Sequence, residues 1–317
     1  MKVVQINHTQ HAEFESMSGD HLFSSARWCS GYPEQLKRFF LVDENEKAVG
    51  GFVAYEGGKS RLRTLITAPF APHIGLYVED NKTNPVKRNS YRKEVIEAIA
   101  DFLKSSKYIY FKLDFAPEWI DMQPMLWKKI HTTVRYTYRI DLRQTTEDIH
   151  SNLDSSKRNK INKASREGLT PSYHADTNAS FKLIHDNLAG KGIETHEKIM
   201  RHILQISSEQ TTGLHSYTMD GDKRLSVNVC AYDRDIAYNL LSAVDRNSGL
   251  TNAGTLSLYH AILKAKSDGK LIFDFEGSGV PEIEEYFRSF GGALVPYFSV
   301  SGGKKPWNWL MKLRQKF

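Results

Sequence analysis

The chain has 317 residues, with 43 lysines and arginines against 37 aspartates and glutamates, which gives a formal net charge of +6 and a pI near 9.0. This length is more than one hydrophobic core usually organises, so we predict two domains, residues 1–143 and 144–317. The mild basic excess is compatible with phosphate-bearing ligands, RNA or an anionic membrane surface, and does not choose among them.

The sequence has two cysteines, Cys29 and Cys230, which are too few and too far apart for a disulfide-built secreted scaffold or a cysteine metal site. The first residues lack the apolar core of a signal peptide, and no apolar run reaches the length of a membrane span. We therefore predict a cytoplasmic protein without a bound metal.

The first half of the chain predicts several strands and one long helix. Two β-rich runs flank the charged turn DENEK and predict an antiparallel hairpin, and apolar residues recurring along one helical face predict an amphipathic helix after it. The predicted elements are the strands Phe39–Val42, Ala48–Tyr55 and Leu62–Thr67, the helix Tyr91–Leu103, and the strands Tyr108–Leu113 and Thr133–Leu142.

A strongly basic segment follows the predicted domain boundary. A helix is predicted to start at Thr145 and to end at Gly168. Its later turns contain no acidic residue before Glu167 but several basic ones, namely Lys157, Arg158, Lys160, Lys163 and Arg166. One interpretation is a surface that binds phosphates, with the first four as its ligands, and the other is an ordinary solvated helix face.

The second half predicts helices, an antiparallel meander, and then alternating strands and helices. Leu271–Phe275 is a short apolar run between glycine-containing turns and predicts a buried strand, and Pro281 suits the first turn of the helix that follows. The other predicted elements are the helices Ala179–Leu188, Lys198–Glu209 and Thr255–Lys266, and the strands Leu214–Met219, Leu225–Tyr232, Ile236–Val244 and Ala293–Val300.

This order of elements resembles the acyl-CoA N-acyltransferase fold called GNAT. The resemblance implies that two central strands part around a pantetheine arm and that the phosphates of the cofactor lie at the amino end of the helix after the fourth strand. In this sequence that place is formed by Thr251, Asn252, Gly254 and Thr255, where backbone N–H groups and the helix dipole favour a pyrophosphate.

Two motifs extend the resemblance over nearly the whole chain. SKRNKINKASREGL, residues 156–169, and FDFEGSGVPEIEEYFRSFGG, residues 273–292, are similar to segments of the Fem-type (FemAB-like) peptidoglycan aminoacyltransferases. The resemblance implies an α/β (α+β) chain of tandem GNAT-like domains, with mixed central sheets flanked by helices. It also implies transfer of an acyl or aminoacyl group to an amine of a cell-wall or sugar-nucleotide-linked precursor. Acyl-CoA or aminoacyl-tRNA would be the cosubstrate, with no tightly bound cofactor.

Acyl transfer to an amine needs a proton acceptor, a donor to the leaving group and a stabilised anion. We assign Glu276 as the acceptor, with Asp274 supporting it from the same strand face because alternate residues of a strand share a face. Tyr286 is assigned as the donor, and Arg288 as an anion-binding group. The competing interpretations are a helix-capping role for Glu276, a structural hydrogen bond for Asp274 and a packing role for Tyr286.

Two other interpretations stay open. Phe287 stands where many Fem-type relatives have a lysine, which favours a non-catalytic module that binds a nucleotide-linked precursor. The basic segment is compatible with direct binding of tRNA or another RNA.

The C-terminal tail combines Trp307 and Trp309 with several lysines. It is interpreted either as a peripheral contact with an anionic membrane or as a tail docked through its tryptophans.

Overall fold

The chain forms two compact units. The structure, a computed structural model, describes residues 1–32, 34–58, 62–190, 196–250, 252–277 and 279–304. Of the described residues, the first unit contains Met1–Arg135 and 296–304, and the second contains Tyr136–Val295. This division differs from the predicted domains, residues 1–143 and 144–317, because the last strand ends in the first unit. Nothing in the sequence pattern marks that return of the chain.

The first unit is built on a mixed sheet whose strand order is β1–β2–β3–β4–β6–β13. Neighbours are antiparallel except β4 and β6, and the short β5 pairs with β3. The strands are β1 (Lys2–Gln5), β2 (Leu36–Val42), β3 (Ala48–Gly57), β4 (Thr64–Ile66), β5 (Tyr77–Val78) and β6 (Tyr110–Asp114), and the helices are α1 (His11–Ser18), α2 (Ala26–Cys29), α3 (Pro85–Ser105) and α4 (Gln123–Trp127).

The second unit has a mixed sheet in the order β8–β9–β10–β11–β12–β7. All neighbours are antiparallel except β11 and β12. Its strands are β7 (His131–Asp141), β8 (Thr170–Ser172), β9 (Gly213–Asp220), β10 (Lys223–Asp233), β11 (Ile236–Val244), β12 (Ile272–Asp274) and β13 (Ala293–Gly303), and its helices are α5 (Thr146–Ser151), α6 (Ser155–Arg166), α7 (Thr177–Ala189), α8 (Glu197–Ser207), α9 (Ala253–Ser267) and α10 (Pro281–Arg288). Both β7 and β13 begin in one unit and end in the other.

The same arrangement occurs in each unit. A strand, a crossover helix and a parallel strand occur in that order as β4, α3 and β6 in the first unit, where the short β5 precedes α3, and as β11, α9 and β12 in the second. In each unit, antiparallel strands precede this motif. The predicted mixed sheets flanked by helices are therefore confirmed.

The single basic helix predicted from Thr145 is in fact two helices. α5 ends at Ser151, and α6 begins after Asp154, whose side chain accepts a hydrogen bond from the backbone of Ser156 at 2.8 Å. The backbone N–H of Asp154 donates to the carbonyl of Ser289 at 2.9 Å. Aspartate is a favoured N-cap residue, so the chain restarts a helix there. The break sets which face of α6 is buried.

Gly291 allows the turn after α10 to pack against the break between α5 and α6. Its φ is +79°, and a Cβ there would overlap the carbonyl oxygen of Asn152. Gly168, which ends the α6 region, has a similar φ of +78°, but a Cβ there would meet nothing within 4 Å. The two glycines therefore share a left-handed conformation and differ only in their surroundings.

This pair predicts two different costs of substitution. Gly168→Ala should lower the free energy of unfolding by about 1 kcal/mol, because only the left-handed backbone is penalised. Gly291→Ala should cost about 3 kcal/mol or more, because the methyl group also forces α10 and α5 apart. Urea denaturation of the two variants measures the difference, and equal costs would show that the contact with Asn152 does not constrain the fold.

Candidate functional site

A cleft opens in the second unit where two parallel strands part. The pairing of β11 with β12 runs from Ile236 opposite Ile272 to Tyr238 opposite Asp274, and within the described chain it goes no further. β11 continues to Val244, and its register against β10 shifts so that Leu240 is skipped. The resulting cleft has a volume of about 570 Å³, and its polar lining includes Asn228, Asn239, Ser242, Glu276, Glu282 and Tyr286.

Asp274 holds the end of β12 in place. It is 2 % exposed and accepts hydrogen bonds from Thr137 Oγ1 at 2.6 Å, Arg139 Nε at 2.6 Å and the backbone N–H of Glu276 at 2.7 Å. Two of these donors lie on β7, so the carboxylate joins three segments of the unit. Its contacts make Asp274 a positioning residue for the turn that carries Glu276.

Glu276 lies beyond the end of the strand, in a strained conformation. Because β12 stops at Asp274 and the φ of Glu276 is +64°, the strand alternation expected to put the two carboxylates on one face does not apply. Glu276 Oε1 is closed off from solvent and has no hydrogen-bond partner among the described residues. Burial, and secondarily the charge of Asp274, raises the pKa of Glu276 well above its ordinary value. Strain and a displaced pKa at a cleft wall are typical of functional sites.

The start of α9 forms another part of the cleft and is fixed by hydroxyl groups. Thr218 and Ser226 donate to the carbonyl of Ala253 at 2.7 and 2.9 Å. Gly254 lines the cleft, and a side chain there would overlap Val244. A glycine is therefore required where α9 meets the parting strand.

The remaining residues predicted to bind the cofactor differ in their surroundings. Thr255 is buried in the first turn of α9. Asn252 is buried, makes no capping bond to α9, and its amide Nδ2 lies 3.4 Å from Glu167, which is itself paired with Lys163 at 3.6 Å. Thr251 lies outside the described residues. The structure thus brings Asn252, Gly254 and Thr255 together at an uncapped helix start.

The equivalent helix start in the first unit is closed. Asn84 caps α3 by accepting hydrogen bonds from the backbone of Val86 and Lys87, and Pro85 has no N–H to offer. An anion at this helix end would have to displace the cap. Of the two crossover helices, α9 is therefore the one whose start suits a phosphate group.

Tyr286 connects the cleft to a second cavity. Its hydroxyl would lie 3.9 Å from a Cβ on Gly254, and burial raises its pKa to about 12. On the other side, Lys157 Nζ lies 3.8 Å from the centre of the Tyr286 ring. The second cavity has a volume of about 560 Å³ and is lined by residues of α6 and α10. Tyr286 lines both spaces.

Lys157 is buried, which the sequence interpretation of an exposed basic run missed. It is 5 % exposed, and burial, followed by the charge of Lys160, lowers its pKa to about 8. The spacing could have revealed this, because Lys157, Ile161 and Ala164 form one continuous stripe on α6. The buried lysine takes an apolar position of that stripe.

The other predicted residues lie away from the cleft. Arg158 donates to the carbonyl of Ser151 at 2.9 Å, and Lys160 lines the second cavity. Arg288 also lines the second cavity and bonds to Glu284 at 3.1 Å, while Glu284 accepts from Tyr138 at 2.5 Å. Glu276 and Tyr286 are therefore the members of the predicted catalytic set that line the cleft.

The described residues contain no group of histidines, cysteines and carboxylates able to hold a metal ion. Within the same ranges, no helix is both long and apolar enough to cross a membrane. The C-terminal tail from Lys305, with its proposed membrane contact, lies outside the described residues.

Comparison with solved structures identifies the fold. FemX matches with a TM-score of 0.63 and 10 % identity, over 94 % of this chain and 97 % of FemX. L-PGS from Bacillus licheniformis matches with a TM-score of 0.57 and 10 % identity, over 98 % and 97 %. A tandem GNAT protein from the clavulanic acid biosynthesis pathway matches with a TM-score of 0.53 and 8 % identity, over 95 % and 98 %. The predicted Fem-like, tandem GNAT fold is confirmed.

Sequence comparison adds no further assignment. No protein-family model matches the chain, and no curated protein matches it. At 8–12 % identity the structural matches show a shared fold alone.

The pKa of Glu276 predicts a stability effect with a defined sign. Because its folded-state pKa lies above the unfolded value of 4.5, wild-type protein loses stability as pH rises from 4.5 through the raised pKa. Glu276→Gln removes this loss. Its melting temperature should match that of wild type near pH 4.5 and exceed it by about 2–4 °C at pH 8, for a gain of about 1 kcal/mol.

Calorimetry at both pH values measures this difference. Glu197→Gln, which removes an exposed carboxylate on α8, is the control for losing one negative charge. A Glu276→Gln protein that is less stable than wild type at pH 8, or a difference independent of pH, would contradict the buried, unpaired carboxylate.

Proposed function

We propose that the second unit catalyses transfer of an acyl or aminoacyl group to an amine in the cleft between β11 and β12. The observation that carries this proposal is the carboxyl group of Glu276, which lines the cleft and has a raised pKa and one oxygen without a hydrogen-bond partner in the described part of the chain. Attack by an amine on a carbonyl carbon needs a group that takes the nitrogen proton. A carboxylate with a raised pKa is a stronger base than an ordinary one. The fold shared with FemX and a tandem GNAT protein supports this proposal.

The reaction would proceed by addition and elimination. The amine nitrogen forms a bond to the acyl carbon, and its proton passes to Glu276. The bond from that carbon to the sulfur or oxygen of the donor then breaks. Tyr286, whose pKa of about 12 keeps it protonated at neutral pH, gives its proton to the leaving group. Exchange with solvent restores both side chains.

Asp274 would act through Glu276 and would not touch the substrate. Its three hydrogen bonds fix the turn and so set the direction of the Glu276 side chain. Such support is required because a small displacement of a catalytic group costs much of its effect.

We favour acyl-CoA over aminoacyl-tRNA as the donor. The side chain of Asn252 does not cap the start of α9, which adjoins the cleft, so this helix start suits the pyrophosphate of CoA. Most of the basic residues in the segment that is compatible with RNA binding are occupied by contacts within the protein. Lys157 is buried, Arg158 bonds to backbone carbonyls, and Lys163 pairs with Glu167.

The proposal predicts a large loss of activity in Glu276→Gln. The variant should lose about 10²- to 10⁴-fold in kcat, the usual contribution of a positioned base, while wild-type activity rises with pH as Glu276 loses its proton. Release of free thiol from a panel of acyl-CoAs, with mass spectrometry of a panel of amines, measures this. A parallel assay uses aminoacyl-tRNA, and Glu197→Gln is the control.

The outcomes separate the candidate functions. Turnover with aminoacyl-tRNA alone would assign the other donor. Binding of donor and amine without turnover, in wild type as in Glu276→Gln, would contradict catalysis and favour the non-catalytic binding module. Full activity of Glu276→Gln would remove Glu276 as the base.

A further inference from the structure

The second cavity has a balanced set of charged groups. Its volume is about 560 Å³, and it is lined by three cations and three carboxylates, which are Lys157, Lys160 and Arg288 with Asp154, Glu282 and Glu285. Glu282 and Tyr286 also line the cleft that contains Glu276. The two spaces therefore share a wall, and a ligand in one can present a group to the other.

Lys157 is the unusual member of this set. Its side chain is almost fully buried, and within the described residues no ion pair or hydrogen bond engages its ammonium group, which lines the cavity. It contacts the faces of Tyr286 and Phe290, at 3.8 and 5.4 Å from the ring centres. A largely desolvated cation without a counter-charge favours its neutral form. An anion in the cavity, beside Lys160 and Arg288, would provide that counter-charge.

The carboxylates restrict the class of anion. Asp154 is already engaged as the cap of α6. Glu282 and Glu285 remain in the lining and would repel a ligand that carries negative charge alone. A ligand with both an anionic and a cationic group matches both halves of the lining. Because Glu282 faces the cleft as well, the cationic group belongs on that side.

We propose that the second cavity binds a phosphorylated amine, with its phosphate on Lys157, Lys160 and Arg288 and its amine toward Glu282. This molecule would be the acyl acceptor, since its amine lies on the side of the cavity shared with the cleft of Glu276. The identification as acceptor rests on the proposed function. The binding site itself is inferred from the charged groups of the cavity and does not depend on the proposed function.

Binding is linked to proton uptake. The groups acting on Lys157 are Lys160, Asp154 and Glu285, together with the protonated Tyr286, and its pKa is about 8. Near pH 8 the lysine is therefore partly neutral, and a bound phosphate draws it to the charged form. A phosphomonoester has already lost its second proton at that pH, because that pKa is about 6, so the proton taken up goes to the protein.

Isothermal titration at pH 8 tests the site with three small probes. Phosphoethanolamine contains phosphate and amine, glycerol phosphate has the phosphate alone, and ethanolamine has the amine alone. We expect phosphoethanolamine to bind at least about tenfold more tightly than either of the others. Repeating the titration in two buffers of different ionisation enthalpy should reveal net proton uptake on binding.

Three variants connect the binding to the cavity. Lys157→Met keeps the length of the side chain and should weaken phosphoethanolamine at least about tenfold and abolish the proton uptake. Lys160→Gln, at a half-buried position, should weaken binding and reduce the uptake, because loss of its charge raises the pKa of Lys157. Arg166→Gln removes an exposed charge from the same helix, outside the cavity lining, and should bind as wild type does. Circular dichroism confirms that each variant is folded.

Vesicles distinguish a lipid headgroup from a soluble phosphate. If the ligand is a lipid, vesicles containing phosphatidylethanolamine should sediment the protein and those containing phosphatidylglycerol should not. The proposal would be overturned if neither phosphoethanolamine nor phosphatidylethanolamine bound. It would also be overturned if glycerol phosphate bound as tightly as phosphoethanolamine, or if Lys157→Met bound phosphoethanolamine as wild type does.

The same titration separates this proposal from the proposed reaction. Glu276→Gln should bind phosphoethanolamine as wild type does, since Glu276 does not line the second cavity. Binding that depends on Lys157, without acyl transfer to the bound amine, would leave the site in place and contradict the reaction. Acyl transfer that is equally fast to amines lacking a phosphate would contradict the site.

Discussion

The hydrogen bonds of Asp274 are the constraint on which the candidate site depends. This buried carboxylate ties the end of β12 to Thr137 and Arg139 on β7 and to the backbone of Glu276. The ladder between β11 and β12 ends at Asp274, so the strands part there and the cleft opens. The chain then turns through a left-handed Glu276, a conformation that persists only where surrounding contacts enforce it.

Two side chains near Tyr286, Glu276 and Lys157, have pKa values that burial shifts in opposite directions. Glu276 lines the cleft and has a raised pKa, because a desolvated carboxylate favours its neutral form. Lys157 lines the second cavity and has a lowered pKa, because a desolvated ammonium also favours its neutral form. Both groups are thereby brought closer to neutral pH, where a proton can be exchanged. Burying these ionisable groups lowers the stability of the unit, and such a loss of stability is usual at functional sites.

Sequence patterns predicted the regular elements well and the site only in part. Periodicity located the hairpin of β2 and β3, the helix α9 and the strand of Asp274, because each buries an apolar face. The motif around Glu276 and Tyr286 was found from its glycine turn and helix start. The features that the sequence patterns did not predict are tertiary contacts. The bonds from β7 to Asp274, the burial of Lys157 and the return of β13 all join residues distant in sequence.

The most direct test of this site is the carboxyl ¹³C titration of Glu276, assigned by comparison with Glu276→Gln. We predict that this resonance titrates well above the ordinary glutamate value of 4.5, and that it shifts when an acyl donor or an amine enters the cleft. A resonance that titrates at the ordinary value and does not respond to either ligand would contradict the assignment of Glu276 as a buried base in an acyl-transfer site.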